Sequence, residues 1–276
     1  MFQPNRMIID IHAHMTTSLT DQIKRARDAG VDRTVLLSTR QHPEQARTLE
    51  DLRAEWGGLS RVISGARSPD EWFRVATAEL LAGLDAHPGE VIGFVNVPLG
   101  KDAAATAAWL DPYLARPDVR GIGELTPAPD KAALIEPALA ASTELGGLPV
   151  LVHGYAPNTA GDIRTYAELA ARYPRVPVIV GALGGLNWMD LTDLAAERPN
   201  LYIDLSSAIA VFAIRIAALT VPGQCLFGSN TPYGDVVATR VTAEVAITDQ
   251  AVLRQVLEDN PAHLGLAGEV RQGSCR

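Results

Sequence analysis

Two histidines one residue apart, His12 and His14, close the apolar run Met7-Ile8-Ile9-Asp10-Ile11. In an extended backbone, side chains alternate between faces, so His12 and His14 point the same way. Two neutral imidazoles converging from one strand end make half of a transition-metal site. A third of the chain's six histidines, His153, closes another apolar run, Val150-Leu151-Val152. Carboxylates close two more: Glu124 after Gly121-Ile122-Gly123, and Asp204 after Leu201-Tyr202-Ile203. Each residue alone has a plainer explanation: a core histidine, or a rim carboxylate paired with an arginine. Jointly, three imidazoles and Glu124 at strand ends point to one divalent metal ion, zinc first, with manganese or iron as alternatives.

Positioning these residues requires a scaffold that gathers strand ends. The sequence contains eight short apolar runs, near 7–14, 34–38, 91–97, 119–124, 149–153, 177–181, 201–204 and 225–229. Helical patterns separate them, among them 69–86, where Ser68 is expected to cap and Pro69 to open the helix. Apolar strands without in-and-out alternation suit a sheet covered on both faces. Eight strand–helix units close into a (β/α)8 TIM barrel, whose chemistry collects at the C-terminal strand ends. The expected organisation is a single barrel domain, 1–276, with a rim excursion at about 39–67 that holds a helical segment near 43–56.

Composition narrows the partners. A net charge of −8, with no basic run interleaved with aromatics, gives no sign of nucleic-acid binding. No apolar stretch is clean enough to span a bilayer, and residues 1–6 do not resemble a secretion signal. Cys225 reads as core, and Cys275 lies in a polar tail expected to fray, so a disulfide framework is not expected and a cytoplasmic setting fits. The expected partner is a small-molecule substrate, with assembly into a homo-oligomer left open. Tyr155, Asn158, Asn187, Trp188 and Tyr233 fall in loops that should ring the opening, as substrate contacts or as packing.

Six stretches in order carry a resemblance: Ile9-Asp10-Ile11-His12-Ala13-His14, Gly121-Ile122-Gly123-Glu124-Leu125, Val150-Leu151-Val152-His153, Gly181-Ala182-Leu183-Gly184-Gly185, Asn200-Leu201-Tyr202-Ile203-Asp204-Leu205-Ser206 and Leu226-Phe227-Gly228-Ser229-Asn230-Thr231-Pro232-Tyr233. Together they resemble the amidohydrolase superfamily, in its amidohydrolase-related (amidohydrolase 2) branch of metal-dependent hydrolases and decarboxylases. The resemblance implies His12, His14 and His153 as metal ligands and Glu124 as an additional or bridging one. The family usually has histidine where Ala182 stands and aspartate where Asn230 stands.

Those two departures bear on chemistry. In the ordinary reaction, a metal-bound water loses its proton to the strand-eight carboxylate and attacks a carbonyl. Asn230 is neutral and cannot serve as that base. Ala182 removes an imidazole, which disfavours a second metal. The leading expectation is a mononuclear hydrolase of an amide, lactone or cyclic amide, with Glu124 as replacement base and Asp204 a weaker candidate. The alternative is a metal-dependent decarboxylase or other lyase acting on an aromatic or unsaturated carboxylic acid, favoured if an arginine lines the pocket. The third is a ligand-binding relative without turnover. Asp10 is expected either to orient an imidazole or to be a buried acid bonded to backbone.

Overall fold

The computed structural model describes residues 7–63 and 68–268. Residues 1–6, the last four residues of the 39–67 excursion and the tail bearing Cys275 lie outside the described residues. Eight parallel strands pair in chain order: β1 (Ile9–His14), β2 (Arg33–Leu37), β3 (Val91–Val95), β4 (Val119–Leu125), β5 (Val150–Val152), β6 (Val178–Val180), β7 (Leu201–Asp204) and β8 (Cys225–Leu226). β8 is only two residues long, shorter than the apolar run suggests. The chain beyond it nevertheless runs along β1: Ile11 N–H donates to Phe227 O at 2.9 Å, Asn230 N–H to His12 O at 2.7 Å, and His14 N–H to Thr231 O at 2.7 Å. The sheet thereby closes on itself as a (β/α)8 barrel.

The covering helices are α1 (Leu19–Asp28), α2 (Leu49–Ile63), α3 (Pro69–Ala86), α4 (Ala103–Leu114), α5 (Glu136–Glu144), α6 (Ala160–Arg172), α7 (Trp188–Glu197), α8 (Val211–Thr220), α9 (Val236–Ala246), α10 (Gln250–Arg254) and α11 (Asn260–His263). Local chemistry sets several ends. Gly30, at φ 77°, ends α1 in the left-handed conformation that glycine adopts freely. Asp102 caps α4, and Thr159 with Asp162 forms a reciprocal capping box at α6. Ser68 precedes α3, but its side chain makes no capping bond there; Pro69 alone marks the start.

Two apolar layers hold the barrel. Ile9, Ile11, Val35, Leu37, Phe94 and Leu151 belong to the inner layer. Leu36, Leu80, Val95, Ile122 and Val180 belong to the layer that packs strands against helices. Strict alternation along β1 would set His12 on the face opposite Ile9 and Ile11. Instead, the pairing to β2 gains one residue between Asp10 and Ala13, a β-bulge. Past it, His14 is level with inward-facing Leu37, and Ala13 with outward-facing Leu36. β4 carries the same device: its register against β5 slips between Ile122 and Leu125, around Glu124. Bulges of this kind re-aim side chains, and both flank residues singled out for chemistry.

Candidate metal centre

The bulged ends of β1 and β4 bring His12, His14 and Glu124 together, each with one ligand atom within 4.8 Å of the others, and all three buried. His12 Nε2 lies 3.3 Å from His14 Nε2, and His14 Nε2 lies 3.6 Å from Glu124 Oε2. Two nitrogens about 2.0–2.1 Å from one ion at a tetrahedral angle stand about 3.3 Å apart, so the spacing suits one shared cation. His12 Nδ1 donates to Asp204 Oδ2 at 2.7 Å, which turns Nε2 toward the cluster as the atom that would face a metal once it is deprotonated. Asp204 is itself fixed by Ala182 N–H at 3.0 Å, Ser206 N–H at 3.0 Å and Ser206 Oγ at 2.5 Å. A Cβ on Gly228 would collide with Asp204 Oδ1 and crowd the His12 Cβ, so this contact needs glycine there. The donor set and its spacing fit a divalent ion.

Charges across the cluster are interlocked. Burial pushes the His14 imidazole down to about 4, which keeps it neutral and able to ligate. Burial opposes charge on His12 too, but the Asp204 carboxylate, aided by Glu124 and Asp10, raises it to about 9. Burial would raise Glu124, yet His153, followed by His12 and His14, holds its carboxyl far below the carboxylate range. His153 is raised despite its burial because Glu124 faces it.

His153 stands one step outside the cluster. Its Nδ1 is 3.0 Å from Glu124 Oε1, and its Nε2 is 3.3 Å from Ala156 O. Glu124 therefore turns one oxygen to His153 and the other to His14. Asp10 does not orient an imidazole: its Oδ1 accepts the backbone N–H groups of His12 at 3.1 Å and Ser229 at 2.8 Å, pinning β1 to the end of β8. Asn230 adopts φ 52°, donates from Nδ2 to Ser207 Oγ at 2.9 Å, and leaves Oδ1 buried without a hydrogen-bond partner.

A cavity of about 680 Å³ opens over these residues. His14, Glu124, His153 and Asn230 line it, as do Tyr155 and Tyr233. Asn187 and Trp188 do not. Asn187 reaches toward Asn158 O, and the Trp188 ring packs edge-on against Phe212, outside the mouth. Asn158 is buried and serves as a support, donating to His153 O at 2.6 Å and to the Tyr166 hydroxyl at 2.9 Å. Sequence reasoning missed Arg40, Gln41 and Asn96, which line the cavity from just beyond β2 and β3. Their one signal in the sequence is that they follow the apolar runs of β2 and β3. Trp56 from α2 and Trp72 and Phe73 from α3 add aromatic wall. Arg40 reaches over the Trp72 ring at 5.9 Å and lies 3.5 Å from Glu79. Tyr233 donates to Gln41 Oε1 at 3.1 Å and stands edge-on to His14.

A barrel with such a cluster at its strand ends defines a class, and the family follows. The family model described as Amidohydrolase (Amidohydro_2) matches residues 9–264, and the chain belongs to that family. No curated protein matches the chain significantly. Among solved structures, the chain is similar to 2,6-dihydroxybenzoate decarboxylase from Rhizobium, at 15% identity and TM-score 0.67, over 94% of this chain and 98% of that one. It is also similar to a dihydroxybenzoic acid decarboxylase from a Polaromonas species with bound manganese and the inhibitor 2-nitroresorcinol, at 16% identity and TM-score 0.64, over 94% and 96%. A third is a protein provisionally assigned as 2-pyrone-4,6-dicarboxylic acid hydrolase from Pseudomonas putida, at 17% identity and TM-score 0.60, over 95% and 98%. At these identities the likeness is one of fold.

Proposed function

We propose that this protein is a metal-dependent lyase that removes carbon dioxide from a small aromatic or unsaturated carboxylic acid. One observation carries the reading. Glu124 is the one carboxylate among the described residues that line the cavity, and both its oxygens are engaged. The position that would hold a free base for water bears the neutral amide of Asn230. Hydrolysis gains about 10²–10⁴-fold from such a base, whereas decarboxylation makes no use of one. Arg40 supplies a cation for an acid, and Trp56, Trp72, Phe73 and Tyr155 supply flat apolar walls for a ring. The fold likeness to two decarboxylases of dihydroxybenzoates agrees with this choice.

His12, His14 and Glu124 Oε2 would hold the ion. When bound, it would supply positive charge to fix an oxygen of the acid and stabilise charge spreading from the breaking bond. The chain's own residues do the rest. Asp204 fixes the His12 ring. Arg40 and Gln41 at the β2 end orient the substrate, and the aromatic wall excludes water. As the carbon–carboxyl bond breaks, its electron pair passes into the ring or alkene, and that carbon must gain a proton. His153, whose pKa the Glu124 carboxylate raises, is the group at the cavity wall that would deliver one.

Hydrolysis of an amide, lactone or cyclic amide is the second reading. It is favoured by the closeness of Glu124 to the two histidine nitrogens, from where a carboxylate could take a proton from water. Metal-loaded protein offered parallel panels of hydroxybenzoic and unsaturated acids, and of lactones and cyclic amides, separates the two. Carbon dioxide from an acid supports the lyase, and ring opening without carbon dioxide supports the hydrolase. Ligand binding with no turnover on either panel would leave a non-catalytic relative.

A further inference from the structure

The outward side of α8, together with a stripe on α9 and the residues around the start of α7, is apolar where the outer helices of a barrel ordinarily meet water. The sequence of α8 explains this, since Arg215 is its single charged residue. Ala213, Ile214, Ala217 and Ala218 of α8 are buried. Phe212, Ile216 and Leu219, spaced by four and three, form an exposed stripe along its other side. A helix apolar on both faces is one that expects cover on both. α8 packs beside α7 and α9, and each extends the stripe. α9 adds Val237, Val241 and Val245, spaced by four, while Leu186 and Met189 add to it at the start of α7. Leu186 is 77% exposed, Val245 64%, Leu219 62% and Met189 60%.

We propose that this face is the interface between two copies of this chain. Eight such side chains, with roughly half of ~200 Å² each uncovered, leave on the order of 900 Å² of apolar surface, beyond the few hundred that a monomer ordinarily shows. Each partner in a stable pair contributes about 800 Å², so the face is the size of one dimer contact. Charge points to the same occupant. Arg215 sits within the face and has no ion pair among the described residues, while exposed Asp190, Asp193 and Glu197 of α7 edge it. A two-fold axis through α8 brings the arginine of each copy toward the acidic edge of the other. A lipid surface fits poorly, because lipid-docking helices are rich in Lys and Arg, whereas this edge is acidic and the chain carries a net charge of −8.

Sedimentation velocity of the full chain at micromolar concentration is the test. The expected result is the mass of two 29.5 kDa chains. Ile216→Asp and Leu219→Asp place a charge twice in a two-fold interface and should weaken association by about 100-fold or more. The circular dichroism spectrum should stay unchanged, because both positions are exposed in one copy. Val75→Asp, exposed on α3, should leave the dimer intact. Hydrogen exchange of the wild-type chain gives a reading that does not depend on any variant: α8 amides should gain protection as concentration rises from nanomolar to micromolar. A wild-type monomer up to high micromolar concentration would overturn the proposal. So would dimer affinity unchanged in Ile216→Asp, α8 protection independent of concentration, or a monomer that co-floats with phosphatidylserine vesicles.

Discussion

At the scale of single residues, the proposed reaction gives the holding of a metal and the handling of a proton to different side chains. His14 is neutral and faces the cluster, whereas His153 is paired with Glu124 beside it. His14→Ala should therefore abolish tight metal binding in calorimetric titration. His153→Ala should keep affinity within about tenfold while lowering turnover by about 100-fold or more, the scale of a lost acid–base group. Equal loss of metal in both variants would make His153 a ligand. The pH dependence of metal affinity follows from His12. Its pKa is raised to about 9, so at neutral pH a proton must leave before the ion binds. Affinity should rise with pH, by about tenfold per unit for one proton displaced, and level off above pH 9. A flat titration from pH 6 to 8 would contradict that protonation state.

At the scale of elements, loops and bulges do the positioning. Asp162, at the start of α6, accepts Thr159 N–H at 2.9 Å and the N–H groups of Asp130 and Ala132 at 3.1 Å each, tying the loop after β4 to the helix after β5. Burial would raise its pKa, but these donors hold it below 3.8. Its stabilisation is present above the unfolded value and lost as pH falls through the lower folded one. Asp162→Asn should cost about 1–3 kcal/mol at pH 7, read by urea melts. The gap to wild type should narrow only below pH 4, and a gap that is constant down to pH 2 would exclude a charged role. The strands themselves were legible because each is a continuous apolar run, as a doubly covered sheet requires. The bulges were not legible. Asp10-Ile11-His12-Ala13 reads as ordinary alternation, and only pairing against β2 reveals the extra residue. His12, His14, Glu124 and Asp204 could be named from strand ends, but Arg40 and Asn96 could not be weighed without seeing which loops fold over the mouth.

At the scale of the molecule, the barrel gathers seven of its eight strand ends around one cavity, and its closure runs through the site. Asn230 N–H bonds His12 O, and Ser229 N–H bonds Asp10, so the seam between β8 and β1 is also the wall of the His12–His14–Glu124 cluster. Binding there should stabilise the whole fold. At a metal concentration one hundred times the dissociation constant, the gain is about 2.7 kcal/mol, which should raise Tm by about 5–10 °C and be reversed by chelator. The most direct measurement is metal stoichiometry: elemental analysis of the full chain after exposure to zinc or manganese and removal of excess ion, beside His14→Ala. One equivalent of divalent metal per chain, absent from His14→Ala, is the predicted result. Two equivalents per chain, or none in the wild-type protein, would contradict a single-ion centre built on His12, His14 and Glu124.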